Sequence, residues 1–275
     1  MIKLPEMPSM SLEGKTALIT GASSGIGQGA AVALAFAGAS VICVARGKDR
    51  LVETETALRE KGSAVTSAVM DINDHSEVQN IFANHEIDIV VNAAGQARHS
   101  AAIDTTPEDY DAVMNVNLKS AYFISTTAAK SMLERSITGS IIHISSQMAH
   151  VGGVDRAVYS ASKHALEGMV KSMAIEWGPD GIRINSICPT FVRTPLTEPT
   201  FQNPDRVKWI KDKIKLGRVG EVSDIMGAVF YLATDLSSMV TGTSILVDGG
   251  WTAECAKFAS LPYKSPKKLV FRSLQ

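Results

Sequence analysis

The chain has 275 residues, of which 45% are apolar and 20% are charged, and these values fit a single globular domain. The formal net charge of -1 argues against a general binder of nucleic acid, because such domains usually carry a basic face. No run approaches the roughly 18 apolar residues that a membrane-spanning helix needs. The N-terminus also lacks the charged head and apolar core of a signal peptide. We therefore expect a cytoplasmic protein that binds neither nucleic acid nor a membrane.

The three cysteines, Cys43, Cys188 and Cys255, lie far apart in the sequence. Their spacing matches neither a zinc site nor a disulfide framework. We expect reduced thiols, two of them in the core, and no bound metal.

Short β-branched apolar runs alternate with amphipathic stretches from residue 15 onward. Strands are predicted at 16–20, 40–45, 64–70, 87–91, 140–145, 183–187 and 244–247. Helices are predicted at 25–38, 48–61, 76–84, 107–135, 158–178 and 223–233. Strands that alternate with helices indicate a parallel sheet with helices on both faces, so the predicted fold class is α/β.

No internal repeat or low-complexity linker divides the chain, which favours one domain at 12–251 after a flexible lead at 1–11. Between 193 and 217 the alternation breaks into proline-rich turns and a short charged helix. An insertion after a strand end is a common place for a substrate lid, and a decorative loop is the alternative. Residues 252–275 are predicted to be a basic extension, either solvated or packed in an oligomer.

A glycine-rich turn joins the first strand to the first helix, with the sequence Gly21-Ala22-Ser23-Ser24-Gly25-Ile26-Gly27. Backbone N–H groups at a helix N-terminus, together with the helix dipole, favour a bound pyrophosphate. Side chains at Gly21 and Gly27 would block the turn and the close approach of helix to strand, so glycine fits both positions. The motif therefore predicts a dinucleotide-binding site.

Tyr159 and Lys163 lie four residues apart in a predicted helix, which places them on one face. An unperturbed phenol has a pKa near ~10 and is a poor acid or base at neutral pH. An ammonium ~4 Å away contributes on the order of 4 kcal/mol at an effective dielectric near ~20, before desolvation offsets part of it. We therefore expect Lys163 to lower the pKa of Tyr159 toward a value useful for proton transfer.

The glycine turn resembles the TGxxxGIG motif of the short-chain dehydrogenase/reductase family, and Tyr159 with Lys163 resembles its YxxxK motif. The resemblance covers about residues 12–251, with several motifs in the family's order. It implies a single-domain, Rossmann-type, doubly wound parallel sheet. It also implies hydride transfer between a nicotinamide dinucleotide and a carbon that bears an alcohol or ketone. A homotetramer, or a homodimer, built partly on the helices at 109–135 and 158–178 is implied as well.

The end of the second strand indicates which nicotinamide cofactor is used. An acid at this position would accept hydrogen bonds from the adenosine ribose and select NAD. The chain has Ala45 where family members that use NAD commonly carry Asp, and Arg46 then offers a planar cation suited to a 2′-phosphate. Ser24 is a departure, because many NADP-using relatives place Lys or Arg there. We predict NADP, with NAD as the alternative.

Further cofactor contacts are implied by the resemblance at three segments. Asp71 and Ile72 match the family's adenine-contacting pair, and Asn92-Ala93-Ala94-Gly95 matches the segment that lines the cofactor and steadies the sheet. The segment after the sixth strand resembles the PGxxxT motif that faces the nicotinamide carboxamide, although Thr190 replaces its glycine. The positions matched there are Pro189, Val192 and Thr194.

The resemblance also implies a catalytic tetrad. Ser146, thirteen residues before Tyr159, matches the serine whose hydroxyl polarises the substrate oxygen, with Ser145 as the neighbouring alternative. Asn117 matches the asparagine that holds a water between the lysine and solvent, with Asn115 as the alternative. The implied catalytic residues are Asn117, Ser146, Tyr159 and Lys163.

The segment Gly95-Gln96-Ala97-Arg98-His99 is similar to that of gluconate 5-dehydrogenases and deoxygluconate dehydrogenases, which carry arginine at the Arg98 position. An arginine there can pair a sugar-acid carboxylate through two hydrogen bonds. The predicted substrate-binding residues are Arg98, Ser146, Gln147, Tyr159 and Arg193. The alternative is that Arg98 and His99 are solvated loop residues.

The leading hypothesis is an NADP-preferring dehydrogenase of a sugar, a sugar acid or a polyol. A 3-oxoacyl carrier-protein reductase is the rival, and it predicts a basic docking face and activity on acetoacetyl thioesters. A non-catalytic dinucleotide-sensing module would be expected to lose Tyr159 or Lys163, and both are present. The site decides between these functions, because fold alone does not.

Overall fold

The computed structural model describes residue 2 and residues 4–253, and the strands of this part form one seven-stranded sheet. The strands are β1 Thr16–Thr20, β2 Ser40–Ala45, β3 Val65–Val69, β4 Ile89–Asn92, β5 Ser140–Ile144, β6 Arg183–Pro189 and β7 Ser244–Val247. Every pair of neighbouring strands is parallel, in the order β3-β2-β1-β4-β5-β6-β7. The predicted doubly wound α/β fold is confirmed.

The helices agree with the prediction except in the long segment 107–135. They are α1 Gly25–Phe36, α2 Lys48–Glu60, α3 His75–Asn84, α4 Pro107–Met114, α5 Ser120–Glu134, α6 Ala157–Trp177, α7 Glu198–Phe201, α8 Pro204–Lys213 and α9 Val222–Ala233. A π-helical turn at Asn115–Lys119 separates α4 from α5. The apolar periodicity does not report a local change of hydrogen bonding, and such turns are frequent at functional sites.

Both faces of the sheet are buried, because successive residues of a strand point to opposite sides. In β1, Ile19 packs in the core beneath α1, α2 and α9, and Leu18 packs in the core beneath α3, α5 and α6. Burial of each such side chain contributes about 1.5–3 kcal/mol. A Cβ at Gly29 would lie 2.3 Å from Val222, so this glycine lets α1 and α9 approach closely. Helices from distant parts of the chain thereby cover the same face.

A row of buried polar side chains crosses the centre of the sheet. Thr20 Oγ1 donates to Asn92 Oδ1 at 2.6 Å, and Asn92 Nδ2 lies 3.3 Å from His143 Nδ1. The Ser125 hydroxyl lies 2.9 Å from His143 Nε2 and donates to a backbone carbonyl of its own helix, so it accepts a hydrogen bond from the Nε2–H group. Burial, followed by nearby Lys163, lowers the pKa of His143 to about 3. The ring is therefore neutral at physiological pH.

The insertion after β6 contains α7 and α8, and its two ends meet. A parallel bridge joins Val192 to Gly220, and the Arg193 N–H donates to the Gly220 carbonyl at 2.8 Å. Ile210 on α8 is fully buried in a small core against Trp251. The segment predicted as a substrate lid is thus anchored at both ends, and its role as a lid stays a prediction.

The ends of the described chain differ from its centre. Residues 4–11 form neither helix nor strand, and Leu12 is the first buried residue of the described part. The basic extension predicted at 252–275 lies, from residue 254 onward, outside the described residues. Within residues 4–253, each helix is too short or too polar to cross a membrane. The predicted domain limits stay predictions.

Candidate active site

A cavity of ≈ 880 Å³ opens at the carboxyl ends of the strands, where the order reverses between β1 and β4. In an open parallel sheet this reversal is where ligands bind, and the volume suits a cofactor with a small substrate. The predicted site residues that line it are Gly21, Ser23, Ser24, Gly25, Ile26, Gly27, Arg46, Asp71, Ile72, Ala93, Ala94, Gly95, Arg98, Ser146, Tyr159, Lys163, Pro189, Val192 and Thr194. The structure therefore brings the glycine turn and the tyrosine–lysine pair into one cavity.

The glycine turn has the geometry that its sequence predicts. Gly21 and Gly25 have positive φ angles of 67° and 57°, which favour glycine. A Cβ at Gly27 would lie 2.3 Å from the Gly21 carbonyl oxygen, so a side chain there would displace the turn. Within the described chain, Ser24 at the start of α1 makes no capping hydrogen bond with its side chain. The first N–H groups of α1 are thus left for a ligand, which fits a pyrophosphate.

Two arginines beside β2 give one end of the cavity a positive charge. Arg46 follows β2, and Arg50 lies in the first turn of α2, where the helix N-terminus adds to the positive potential. Both arginines are exposed beside the cavity. Asp71 follows β3 and lines the same end. Sequence reasoning missed Arg50, and its spacing of four residues from Arg46 is the signal that would have found it.

Tyr159 and Lys163 border the cavity one helical turn apart on α6. Lys163 Nζ lies 5.9 Å from the centre of the Tyr159 ring and donates a 2.9 Å hydrogen bond to the Ile144 carbonyl at the end of β5. Burial lowers the pKa of Lys163 from 10.5 to about 8, although Cys188 and Glu167 raise it in part. Lys163 is therefore a buried amine that faces the cofactor cavity.

The pKa of Tyr159 differs from the expectation. Burial raises this pKa above its usual value, and the Ser146 hydroxyl and the Arg156 guanidinium offset only part of the effect. Lys163 is hydrogen-bonded to the backbone of β5, and burial weakens its own tendency to carry a charge. The expectation that Lys163 lowers the pKa of Tyr159 is therefore wrong for the chain by itself, because desolvation of the phenol is the larger effect.

Ser146 and Ser145 both line the cavity after β5. Ser146 begins a short helical turn at Gln147–Ala149, and its Oγ accepts a hydrogen bond from the Met148 N–H at 3.1 Å. The Ser146 hydroxyl also lowers the pKa of the Tyr159 phenol through a hydrogen bond. This contact favours Ser146 over Ser145 as the group that shares a substrate oxygen with the phenol.

The π-helical turn between α4 and α5 carries Asn117, which is buried. Asn117 Oδ1 accepts from the Gln96 N–H at 2.8 Å, and Nδ2 donates to the Gln96 carbonyl at 2.9 Å. The same Nδ2 donates to Ser162 Oγ at 3.1 Å, next to Lys163 on α6. The Asn117 side chain thus joins the loop after β4 to α6 through hydrogen bonds. Its role in holding a water stays a prediction.

The loop after β6 closes one side of the cavity. Thr190 stands at the family's glycine position. It is not one of the described non-glycine residues that have a positive φ, so the turn does not require glycine there. Its Oγ1 is buried and has no hydrogen-bond partner in residues 4–253. A buried hydroxyl left in this way fits a polar group of a ligand. A Cβ at Gly25 would lie 3.1 Å from Thr194 Cγ2, so the loop packs directly on the glycine turn.

Three predicted substrate-binding residues are already engaged or enclosed by the protein. Arg98 lines the cavity, and its Nη1 lies 2.5 Å from Asp109 Oδ1. Arg193 pairs with Glu198 at 3.2 Å. Gln147 is only 2% exposed. The charges of the two arginines are therefore balanced within the chain, and the substrate roles of all three stay predictions.

A buried polar cluster behind Lys163 was not predicted. Glu167 accepts hydrogen bonds from Ser186 at 2.7 Å and from the Cys188 thiol at 3.5 Å. The ligand atoms of the buried Glu167 and Cys188 and of the exposed His150 lie within 4.8 Å of one another, and all three are residue types that bind metals. Burial, reinforced by Glu167, raises the pKa of the Cys188 thiol to about 12. The cluster therefore holds a protonated thiol and a hydrogen-bonded carboxylate.

A phosphate-binding turn and a tyrosine–lysine pair in one cavity define a dinucleotide-dependent oxidoreductase. A family model described as enoyl-(acyl carrier protein) reductase matches residues 21–252. A 2-dehydro-3-deoxy-D-gluconate 5-dehydrogenase from Bacillus subtilis is 39% identical over 247 residues, which are 88% of this chain and 96% of that protein. The chain belongs to the short-chain dehydrogenase/reductase family. It is an NAD(P)-dependent oxidoreductase that interconverts an alcohol and a ketone.

Two solved structures are similar over nearly their full length. A candidate 2-deoxy-D-gluconate 3-dehydrogenase from Agrobacterium tumefaciens, with bound NADP, has a TM-score of 0.86 at 37% identity and covers 89% of this chain and 99% of that chain. A gluconate 5-dehydrogenase from Burkholderia cenocepacia, in complex with NADP and tartrate, has a TM-score of 0.86 at 31% identity. The match covers 90% of this chain and 98% of that one.

Proposed function

We propose that this chain is an NADP-dependent dehydrogenase that interconverts a secondary hydroxyl and a ketone on a sugar acid. It works in the cytoplasm as a homotetramer or a homodimer. The observation that carries the proposal is that Ser146, Tyr159 and Lys163 border the same cavity as the glycine turn. This arrangement supports proton exchange at a substrate oxygen close to a bound dinucleotide.

The preference for NADP rests on the positive end of the cavity. Arg46 and Arg50 supply two permanent charges, and neutral Ala45 replaces the acid that would select NAD. A guanidinium can bind a 2′-phosphate through two parallel hydrogen bonds. The two solved relatives described above contain NADP. NAD is the alternative cofactor.

Three residues of the chain have separate roles in the reaction, and bound NADPH supplies the hydride. Tyr159 is protonated at neutral pH because burial raises its pKa, so it can donate the proton to the carbonyl oxygen. Ser146 donates a hydrogen bond to the same oxygen and stabilises the developing negative charge. In residues 4–253, Lys163 uses one of its three N–H donors on Ile144, which leaves two for the nicotinamide ribose.

The sugar-acid substrate rests on the relatives. The Bacillus subtilis relative acts on 2-dehydro-3-deoxy-D-gluconate, and the Burkholderia cenocepacia relative is a gluconate 5-dehydrogenase that binds tartrate, a hydroxylated dicarboxylate. Both names describe a hydroxyl-rich compound with a carboxylate. The hydroxyl groups of Ser145, Ser146 and Tyr159 line the cavity here and suit a hydroxyl-rich compound.

The assembly is supported by an apolar groove of ≈ 590 Å³ along α4, α5 and α6. Tyr122, Phe123, Met169 and Trp177 line it, and the first two are exposed large side chains. Apolar grooves of this kind are typical of subunit contacts. A second copy of the chain would cover the groove along the helices that carry Asn117 and Tyr159.

A panel of substrates distinguishes the proposed function from its rival, a 3-oxoacyl carrier-protein reductase. The purified protein is assayed with NADPH and with NADH on 5-keto-D-gluconate, L-sorbose and acetoacetyl-coenzyme A. We expect the highest kcat/KM with NADPH and 5-keto-D-gluconate. A higher kcat/KM for the thioester would overturn the sugar-acid proposal.

Replacement of Tyr159 by phenylalanine tests the catalytic assignment. We expect turnover to fall by about 10²–10⁴-fold, because the proton donor at the substrate oxygen is lost. The dissociation constant of NADPH, measured by fluorescence titration, should change by less than about twofold. Tyr110→Phe on the surface of α4 is the control and should keep normal turnover. Near-normal turnover of Tyr159→Phe would contradict the mechanism.

A further inference from the structure

Tyr159, which lines the cavity, has a histidine and an arginine near it, and a second arginine acts on both from the insertion after β6. His99 lies on the loop after β4, and its ring meets the Tyr159 ring edge to face, with the centroids 6.0 Å apart. Arg156 directly precedes α6, three residues before Tyr159. Arg206 lies in the first turns of α8, within the insertion after β6. Arg156 and Arg206 act electrostatically on His99, and Arg206 acts on Arg156, so these three residues are called the cluster below.

The two arginines differ from other arginines near the cavity. Arg98 and Arg193 each have a carboxylate partner, as described above. In the part of the chain that the structure describes, neither Arg156 nor Arg206 forms an ion pair or a side-chain hydrogen bond. Tyr159 and the solvent-exposed Asp155 offset part of the charge on Arg156. Neither arginine of the cluster is therefore ion-paired with a carboxylate of the described residues.

Positive charge is concentrated at this cluster. Burial, then Arg156 and Arg206, lower the pKa of His99 to about 4. Burial, followed by Arg206, also lowers the pKa of Arg156. Like charges near one another repel each other, and of these three residues Arg156 is the one that is half-buried. A bound carboxylate would relieve this repulsion and would accept hydrogen bonds from both guanidinium groups.

The backbone before α6 is shaped to present Arg156. Asp155 has a φ of 58°, in the left-handed region that a non-glycine residue adopts at a cost, and such outliers concentrate at functional sites. A Cβ at Gly153 would lie 3.0 Å from Arg156 Cγ. Gly153 therefore leaves room for the side chain of Arg156 at the start of α6.

We propose that Arg156, Arg206 and His99 bind the carboxylate of the sugar-acid substrate while Tyr159 contacts its reacting oxygen. This inference rests on the proposed function and names the residues that give it its substrate class. The carboxylate would lie beyond the His99 ring, a few carbon atoms from the oxygen at Tyr159. Arg206 would reach the substrate from the insertion after β6, which is the segment predicted as a substrate lid.

The test uses a matched pair of substrates and charge-removing variants. 5-Keto-D-gluconate and L-sorbose share a carbon skeleton and differ at one terminal carbon, which is a carboxylate in the acid (C1) and a hydroxymethyl group in the sugar (C6). We expect Arg156→Gln and Arg206→Gln each to lower kcat/KM for 5-keto-D-gluconate about ten- to a hundredfold, because a charge-assisted hydrogen bond is lost. In Arg206→Gln the value for L-sorbose should change by less than about twofold. In Arg156→Gln the loss on L-sorbose should be smaller than the loss on the acid, because Arg156 also lowers the pKa of Tyr159. Arg156→Lys should retain part of the preference for the acid.

Lys208→Gln is the matched control, because Lys208 is an exposed cation on the same helix as Arg206. It should leave the preference for the carboxylate intact. NADPH affinity and the circular dichroism spectrum show that each variant is folded. This inference would be overturned if the wild type prefers the acid but Arg156→Gln and Arg206→Gln lose activity equally on both substrates, or lose none. That result would leave the proposed function standing. Wild-type preference for acetoacetyl-coenzyme A would overturn the proposed function itself.

Discussion

Replacement of Lys163 by methionine should make the protein more stable while it abolishes turnover. Lys163 is 4% exposed, and burial lowers its pKa from 10.5 to about 8. The folded protein therefore binds this proton less tightly than the unfolded chain, which costs on the order of 3 kcal/mol at pH 7. Methionine fills similar space without a charge, and the lost hydrogen bond to Ile144 offsets about 1 kcal/mol. We expect a net gain of about 2 kcal/mol.

The pH dependence separates this effect from ordinary repacking. The folded pKa of Lys163 is the lower one, so the cost to the wild type is complete below about pH 8 and disappears as the pH rises to 10.5. Lys163→Met lacks the titrating group. The stability difference between variant and wild type is therefore largest at pH 7 and shrinks toward pH 10.5. Urea unfolding at equal protein concentration measures it at both pH values.

Lys171→Met serves as the control, because Lys171 is exposed on the same helix. Its free energy of unfolding should stay within about 0.5 kcal/mol of the wild type at both pH values. The reasoning is refuted if Lys163→Met is less stable than the wild type at pH 7, or if its stability difference does not change with pH.

Three further variants test other parts of the site. Gly27→Ala places a methyl group 2.3 Å from the Gly21 carbonyl, so calorimetric titration should show NADPH affinity about tenfold lower or worse, whereas Gly227→Ala on α9 has open space and should bind normally. Arg46→Gln should raise the KM for NADPH about tenfold in steady-state kinetics and leave that for NADH within about twofold. Asn117→Ala loses three hydrogen bonds, so urea unfolding should show about 2–3 kcal/mol less stability and initial rates a lower kcat. An unchanged kcat would assign Asn117 to structure alone.

Local patterns were enough to predict the sheet and the glycine turn. Each strand is a short apolar run between turn-forming residues, and the bounds of β1 and β7 match the prediction. The positive φ angles of Gly21 and Gly25 follow from a turn that must pass close to a helix N-terminus. These features depend on neighbours in sequence, so one sequence reveals them.

Features that depend on neighbours in space were not predictable in this way. The Asp109 partner of Arg98 lies eleven residues away, and nothing in the sequence marks the pair. The raised pKa of Tyr159 comes from burial, which the spacing to Lys163 does not report. The π-helical turn that carries Asn117 leaves the apolar pattern of its helix unchanged. Tertiary packing decides each of these properties.

The polar row through Thr20, Asn92 and His143 has a consequence for how the strands find their alignment. Parallel strands are joined by long crossovers, so no hairpin loop dictates which residues stand opposite each other. Sliding β4 or β5 by one position would orphan these side chains in a dry interior, at about 1–3 kcal/mol for each lost partner. These three polar residues thus favour the native register of the strands. They lie near the carboxyl ends of the strands, where a wrong register would displace the residues that line the dinucleotide cavity.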